Sequence, residues 1–273
     1  MNTISLDDVH VKDFLRADSL KLAPGLYGVI GPNGAGKTTL MRVIAGHLPA
    51  SDGTVDCATT ALARTGHDIA LAGWTVADHL DIARRARGAL DLDYARNLLE
   101  RFDLAEKSRC SKLSTGQRQI LAVITALAAR TPITLLDEPF NGLDAPTRST
   151  LREILIDHAA QTSDWTLLIS SHRAEDLAGL ADALVILQAG IATGPVQLDE
   201  QRALFPSLTG ETSAVDAAIK ELDAEVLDRQ TLGPTTRALV RATHAPADLP
   251  ATVTVEHPDD AQLIDSIVTA AKH

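Results

Sequence analysis

Only 3% of the 273 residues are aromatic, and there are just two cysteines, Cys57 and Cys110. Two cysteines cannot build a disulfide framework, so the chain fits a reducing compartment and both thiols read as small apolar fillers. Long hydrophobic runs are missing as well. The longest, Ile120 to Ala129, is interrupted by Thr125 and bounded by Gln119 and Arg130. A bilayer-spanning helix needs about 20 apolar residues, so the chain is not expected to enter a membrane by itself, although it can sit against one. The first residues, Met1 to Asp8, have neither the basic start nor the apolar core of a signal peptide. Positive charge is in deficit, with 25 Lys and Arg against 36 Asp and Glu and a net charge of −11. That balance argues against nucleic acid as a partner, since phosphate-backbone binding depends on clustered Lys and Arg.

What is present is an ordinary globular composition, 45% hydrophobic and 22% charged, long enough for one large core or one core with a small appendage. Apolar β-like runs alternate with helical patterns, as in a sheet with helices on its faces. Strands are expected at 25–30, 133–136, 167–169 and 183–187. Helical spacing covers 37–45, 75–87, 93–102, 114–129, 147–160 and 174–180. The stretch 190–210 reads as turn-rich, with Gly194-Pro195 and Phe205-Pro206 as breaks. Beyond it lie an acidic amphipathic segment (214–227), two short strands (238–242 and 253–255) and a last helix (258–271). The expected division is therefore a main domain over 1–204, with a helical subdomain at about 68–130, and a small accessory domain over 205–273.

Gly31-Pro32-Asn33-Gly34-Ala35-Gly36-Lys37-Thr38-Thr39 fits the P-loop pattern G-x-x-x-x-G-K-[ST] between a strand and a helix. Backbone N–H groups must turn inward around phosphates, which glycines allow, and the helix N-terminus adds a favourable field. Lys37 is the expected point charge on the β- and γ-phosphates, and the Thr38 hydroxyl is an expected Mg²⁺ ligand. Ile133-Thr134-Leu135-Leu136 leads into Asp137-Glu138, an apolar strand ending in two carboxylates. Beside a P-loop, Asp137 is expected to hold Mg²⁺ and Glu138 to polarise the attacking water.

Leu113-Ser114-Thr115-Gly116-Gln117-Arg118-Gln119 follows, with Gln117 placed 20 residues before Asp137. Here the chain resembles the ATP-binding cassette (ABC) ATPases, whose signature reads LSGGQ. The resemblance extends to Pro139, to Asn141-Gly142-Leu143-Asp144 and to the strand ending Ser170-Ser171-His172, covering roughly residues 4 to 195. It implies an α/β P-loop NTPase with a RecA-like core, an antiparallel β subdomain, a helical subdomain and a small C-terminal α+β appendage. It also implies that Gly31, Asn33, Gly34, Ala35, Gly36, Lys37, Thr38 and Thr39 of one subunit hold ATP against Ser114, Gly116 and Gln117 of a second copy or a homologous chain. His172 would contact the γ-phosphate, and Asp144 would communicate across the dimer. Independently of the family, Ser114 is a good N-cap, and with the helix start behind it makes an anion site.

Two positions depart from the family pattern. Thr115 stands where glycine is usual, so Ser114 and Gly116 are the expected carriers of the signature role. No glutamine occupies the usual coupling position, and His67 of Gly66-His67-Asp68 stands in its place, as in haem-exporter types. For the adenine, His10 and Phe14 are the ring-bearing candidates, and spacing does not choose between them. The resemblance implies an ATPase subunit on the inner face of the cell membrane, working with a transmembrane permease, with export as the expected direction. A soluble ABC ATPase, for example in iron–sulfur cluster assembly, is the alternative. A small-molecule P-loop kinase shares only the phosphate cradle.

Overall fold

Apolar and polar residues alternate near the start of the chain, with one break at Asp7-Asp8 where the β1–β4 register shifts. The computed structural model describes residues 3–64, 73–162, 164–246 and 249–271. In order they form β1 (Ile4–Val11), β2 (Leu15–Leu22), β3 (Gly25–Ile30), α1 (Lys37–Ile44), β4 (Asp52–Cys57), β5 (Thr60–Ala63), α2 (Val76–Arg87), α3 (Leu92–Arg101), α4 (Thr115–Ala128), β6 (Ile133–Asp137), α5 (Ala145–Gln161) and β7 (Thr166–Ser171). Then come α6 (Ala174–Leu177), β8 (Ala183–Gln188), β9 (Ile191–Gln197), α7 (Leu198–Arg202), β10 (Ser207–Glu211), α8 (Thr212–Glu221), β11 (Glu225–Leu232), β12 (Thr235–Arg241), β13 (Val253–Glu256) and α9 (Asp260–Ala270).

Nine strands form one sheet in the order β4-β1-β2-β9-β8-β3-β7-β6-β5. Strands β3, β7, β6 and β5 run parallel to one another, and every residue of β6 and β7 is buried. Continuous burial is what parallel strands covered on both faces require. At the other edge β1 pairs antiparallel with β2 and β4, and β1 and β2 bury alternate residues. This is the RecA-like core and antiparallel β subdomain that the resemblance implies. Helices α2, α3 and α4 supply the helical part, with α4 packed on α2, α3, β5 and β6.

Strands β1, β2, β4 and β5 fall where the sequence reading placed no element, and two further segments take another form than expected. The stretch 190–210 is not merely turns, because it contains β9, α7 and β10. Ala189 and Gly190 both have positive φ (46° and 82°), the pair that a tight hairpin turn needs, and β9 then lies beside β2. The segment 214–227 is not one amphipathic element: α8 ends at Glu221, Asp223 turns with φ 45°, and β11 begins at Glu225. Strand β11 is an edge strand exposed at nearly every position, so no alternation marks it.

The chain gathers into two units, one of Met1–His172 with Val185–Pro195 and one of Arg173–Leu184 with Val196–His273. The sequence reading draws a single boundary at 204/205, whereas the second unit also takes residues from the interior of the chain. The cause is local packing within that unit. Helix α6 packs on α9, Gly179 N donates to Asp260 Oδ2 at 2.8 Å, and Arg202 pairs with the other Asp260 oxygen at 2.5 Å. The unit's four strands order as β11-β12-β10-β13. Helix α8 covers one face through Val215, Ala218 and Leu222 packed on Leu208, Ala238, Val240 and Val253.

In the first unit a histidine locks α5 to its neighbours. Helix α5 buries Leu151, Ile154, Leu155 and His158, the i, i+3, i+4, i+7 stripe of a core-facing helix. The His158 ring lies 4.3 Å from Trp165, and its Nδ1 is 2.8 Å from the Tyr94 hydroxyl. Trp165 Nε1 donates to Thr134 Oγ1 at 3.0 Å, and the Arg130 guanidinium sits 3.8 Å above the Tyr94 ring. Burial, with the Arg130 charge as a smaller second cause, pushes the imidazole down to about 4. The unfolded chain takes up this proton near the ordinary value of about 6.5, so stability falls as pH drops from there toward 4. The full effect is about 3 kcal/mol. Urea midpoints measured at neutral pH and near about pH 4.5 should show a smaller acid loss in His158→Gln than in wild type. Equal losses would assign the acid sensitivity elsewhere.

Candidate functional site

The loop between β3 and α1 is shaped by what lies behind it. A Cβ on Gly31 would stand 2.2 Å from the carbonyl oxygen of Leu187 on β8, so this glycine is required by backbone packing. Gly36 holds φ 105° as the N-cap of α1, with no side-chain cap. The first-turn N–H groups of α1 thus meet no capping oxygen, the arrangement that favours an anion. Asn33, Gly34, Gly36, Lys37, Thr38 and Thr39 line a cavity of about 270 Å³, together with Phe14, Glu138 and Asn141. Ala35 is buried within the loop. Lys37 is 6% exposed, and its Nζ donates to Gly31 O at 2.7 Å and Pro32 O at 3.2 Å. The same Nζ lies 3.2 Å from Glu138 Oε1.

Both acids at the end of β6 are tied to this loop. Thr38 Oγ1 donates to Asp137 Oδ2 at 2.8 Å. Ser170 Oγ, on the neighbouring strand β7, donates to Asp137 Oδ1 at 2.6 Å and accepts from Glu138 N at 2.8 Å. Glu138 leaves the strand with φ 50°, an uncommon conformation for a residue with a Cβ. That turn sends its carboxylate toward Lys37 rather than along the strand. His172 Nδ1 lies 3.1 Å from Glu138 Oε2. Asp137 is buried, while Glu138 keeps a 13% exposed side chain on the cavity. The two acids therefore aim differently, Asp137 at Thr38 and Ser170 and Glu138 at Lys37 and His172. Ser170 holds both and is a residue that sequence reasoning did not single out. Its signals are a serine at the end of a buried apolar strand and a place, with no role attached, in the strand end Ser170-Ser171-His172.

The signature segment lies in a second cavity of about 320 Å³, lined by Ser114, Gly116, Gln117, Gly142, Leu143 and Asp144 among others. Ser114 caps α4 in a reciprocal pair: Gln117 N donates to Ser114 Oγ at 3.1 Å, and Ser114 N donates to Gln117 Oε1 at 3.0 Å. Gly116 faces the loop after β6, where a Cβ would meet Gly142 O at 3.2 Å and Leu143 Cδ2 at 3.3 Å. Thr115 is exposed at the first turn of α4. Asp144 caps α5, accepting from Thr147 N at 2.9 Å, and its bonds to Thr147 hold its carboxyl below the usual carboxylate range. The expected residues thus separate into two clusters, and the segment Glu138 to Asp144 has one end at each.

The structure also separates the two ring candidates. Phe14 lines the P-loop cavity and is 66% exposed. His10 lines a different hollow with Arg16 and Gly190. His67 falls outside the described residues. Thr38 and Asp137 offer a hydroxyl and a carboxylate 2.8 Å apart, hard oxygen donors of the kind Mg²⁺ takes when phosphates and water complete its shell.

Residues 15–141 match the family model described as "ABC transporter". The chain is 32% identical over 233 residues to the aliphatic sulfonates import ATP-binding protein SsuB of Albidiferax ferrireducens, covering 80% of this chain and 78% of that one. It is 35% identical over 193 residues to the taurine import ATP-binding protein TauB of Escherichia coli K12, covering 66% and 75%. It is 29% identical over 228 residues to the ABC transporter ATP-binding protein YtrB of Bacillus subtilis, covering 79% and 78%. A solved ATP-binding subunit of an ABC transporter superposes with a TM-score of 0.63 at 24% identity, over 73% of this chain and 91% of that one. The expectation of export finds no support here, since the relatives whose names carry a direction are import proteins.

Removing the Ser170 hydroxyl leaves Asp137 Oδ1 and Glu138 N without their shared partner in a buried place. Ser170→Ala should lower kcat for ATP hydrolysis about tenfold or more while leaving nucleotide Kd within about twofold, and cost about 1–3 kcal/mol of stability. Ser170→Thr, which keeps the hydroxyl, should restore part of the rate. Steady-state kinetics that match wild type for Ser170→Ala would remove Ser170 from the site.

Proposed function

We propose, since this chain belongs to the ABC transporter family of ATP-binding proteins and is an ATPase, that the cavity over the P-loop takes Mg-ATP for hydrolysis. The observation that carries this reading is the set of contacts joining Lys37 to Glu138, Glu138 to His172 and Ser170, and Thr38 to Asp137. In it Lys37 and the α1 N-terminus hold the β- and γ-phosphates. Thr38 and Asp137 would hold Mg²⁺, which supplies charge neutralisation on the phosphate oxygens. Glu138 orients the water and takes its proton as the water oxygen bonds to the γ-phosphorus and the bond to the ADP oxygen breaks. His172 keeps the Glu138 carboxylate aimed and reaches the γ-phosphate. Phe14 receives the adenine, because of the two ring candidates it is the one on this cavity.

The signature residues line a cavity of their own, which supports a dimer in which Ser114, Gly116 and Gln117 of a second copy or homologous chain close over the phosphates. Asp144, beside them as the cap of α5, would sit at that contact. The relatives are ATP-binding proteins named for import, which supports a separate transmembrane permease partner and a place on the inner face of the membrane; among the described residues no helix is long and apolar enough to cross a membrane. Import is the direction the named relatives favour. The unit of Met1–His172 with Val185–Pro195 would carry the nucleotide work, and the unit of Arg173–Leu184 with Val196–His273 would form an accessory domain.

Glu138→Gln keeps shape and removes the base, so turnover should fall about a hundredfold or more with ATP affinity nearly unchanged. Lys37→Ala should weaken ATP binding itself, and Phe14→Ala should weaken it about tenfold. In the Glu138→Gln background, light scattering with saturating Mg-ATP should report a dimer, and a bulky residue at Gly116 should dissociate it without emptying the P-loop. Wild-type turnover in Glu138→Gln would overturn the catalytic assignment.

A further inference from the structure

A second cavity of the first unit adjoins the one over the P-loop, and Phe14 and Thr39 line both. The P-loop cavity, at about 270 Å³, is at the small end for a whole ligand. Its neighbour encloses about 680 Å³. Three segments frame that space. Helix α1 supplies Thr39 and Arg42, three residues apart and so on one face. After α1 the chain reverses at Gly46, with φ 69°, and His47 N and Leu48 N donate to Arg42 O at 2.8 and 3.1 Å. The segment Leu48 to Ser51 then reaches the β1–β2 turn. There Ser51 N donates to His10 O at 2.7 Å, and Ser51 Oγ accepts from Lys12 N at 3.2 Å. These bonds tie the three walls to one another.

The lining is apolar through Val11, Phe14, Leu48 and Pro49, its charged groups are Lys12 and Arg42, and it includes no carboxylate. Arg42 is half-buried, and among the described residues no acid pairs with it. Its Nε is enclosed by protein and meets no acceptor. A guanidinium left unpaired in such a place is costly, and a ligand that brings acceptors relieves the cost. Continuity with the P-loop cavity names that ligand. Phosphates held over Lys37 leave the rest of a nucleotide to extend past Thr39, into a space with a ring to stack on and a cation. The base edge that suits a guanidinium fork carries two acceptors. Guanine and hypoxanthine present O6 and N7 there, whereas adenine presents N7 beside a donor amino group. We infer that this cavity is the base chamber of the nucleotide site and that Arg42 pairs with the O6/N7 edge of a 6-oxopurine, so that the chain takes GTP and ITP as well as ATP. The inference rests on the reading that phosphates occupy the P-loop cavity. Arg42 then decides between bases, while Lys37 holds what all nucleotides share.

The test titrates the full chain calorimetrically with the Mg²⁺ complexes of ADP, GDP and IDP, which turnover does not consume. Inorganic pyrophosphate is the control without a base. GDP and IDP should bind at least as tightly as ADP, and equally to each other, because the 2-amino group is not read. 7-Deaza-GDP, which lacks the N7 acceptor, should bind about tenfold more weakly than GDP. Arg42→Met keeps the stem and removes the guanidinium. It should weaken GDP and IDP about tenfold and ADP by less, and leave pyrophosphate within about twofold. Arg42→Lys keeps the charge without the fork and should not restore GDP affinity. The inference is overturned if ADP binds more than about threefold tighter than GDP, or if 7-deaza-GDP binds as GDP does. It is equally overturned if Arg42→Met binds GDP as wild type, or loses pyrophosphate as much as GDP. Pyrophosphate that binds wild type but not Lys37→Ala upholds the phosphate reading whichever way the bases behave. If neither pyrophosphate nor any diphosphate binds, both readings fall.

Discussion

A single hydroxyl between two neighbouring strand ends organises the chemistry of the first unit. Ser170 Oγ donates a hydrogen bond to Asp137 and accepts one from the backbone N–H of Glu138. It fixes the buried acid and the start of the left-handed turn that points the second acid at Lys37. Everything around it depends on β6 and β7 being in register, with Asp137 opposite Ser170. That register is held by continuous burial of both strands, because a slip of one residue would place apolar side chains where these polar atoms now meet.

The same economy governs the approach of the P-loop. Gly31 is needed where the β8 backbone comes within contact of it, and Gly36 where the chain turns into α1. The glycines therefore serve packing, and in the proposed reading phosphate access as well. Seven residues, Glu138 to Asp144, then connect the phosphate cavity to the signature cavity. One end is fixed by Ser170, and the other by the Asp144 cap of α5 and by the close packing of Gly142 on Gly116. A change at either end has a short, tethered path to the other.

The second unit follows a different logic. Its sheet is apolar on the α8 face and polar on the α9 face, and its stability rests on the first of these together with the Arg202–Asp260 pair and the packing of α9 on α6 and α7. A unit anchored in this way can keep an open cleft on its other side.

The sequence by itself determined the elements whose residues must satisfy a local rule. The P-loop needs glycines and a lysine at fixed spacing, β6 needs an apolar run before Asp137, and α4 needs Ser114 to cap it, so all three were legible one residue at a time. The apolar runs of β3, β6, β7 and β8 were legible as strands, whereas the alternating β1 and β2 were not placed from the residues. Tertiary structure decided what depends on neighbours distant in the chain. Strand β11 escaped because an edge strand buries almost nothing, and the 190–210 stretch because its hairpin is fixed by pairing beside β2. Ser170 looked like any strand serine until β6 was laid against β7. Phe14 and His10 were equivalent rings until the β1–β2 connection placed only one of them on the phosphate cavity. Local rules act through bonds and spacing that a sequence carries, whereas register, edge position and the facing of two walls arise only when separated segments are packed together.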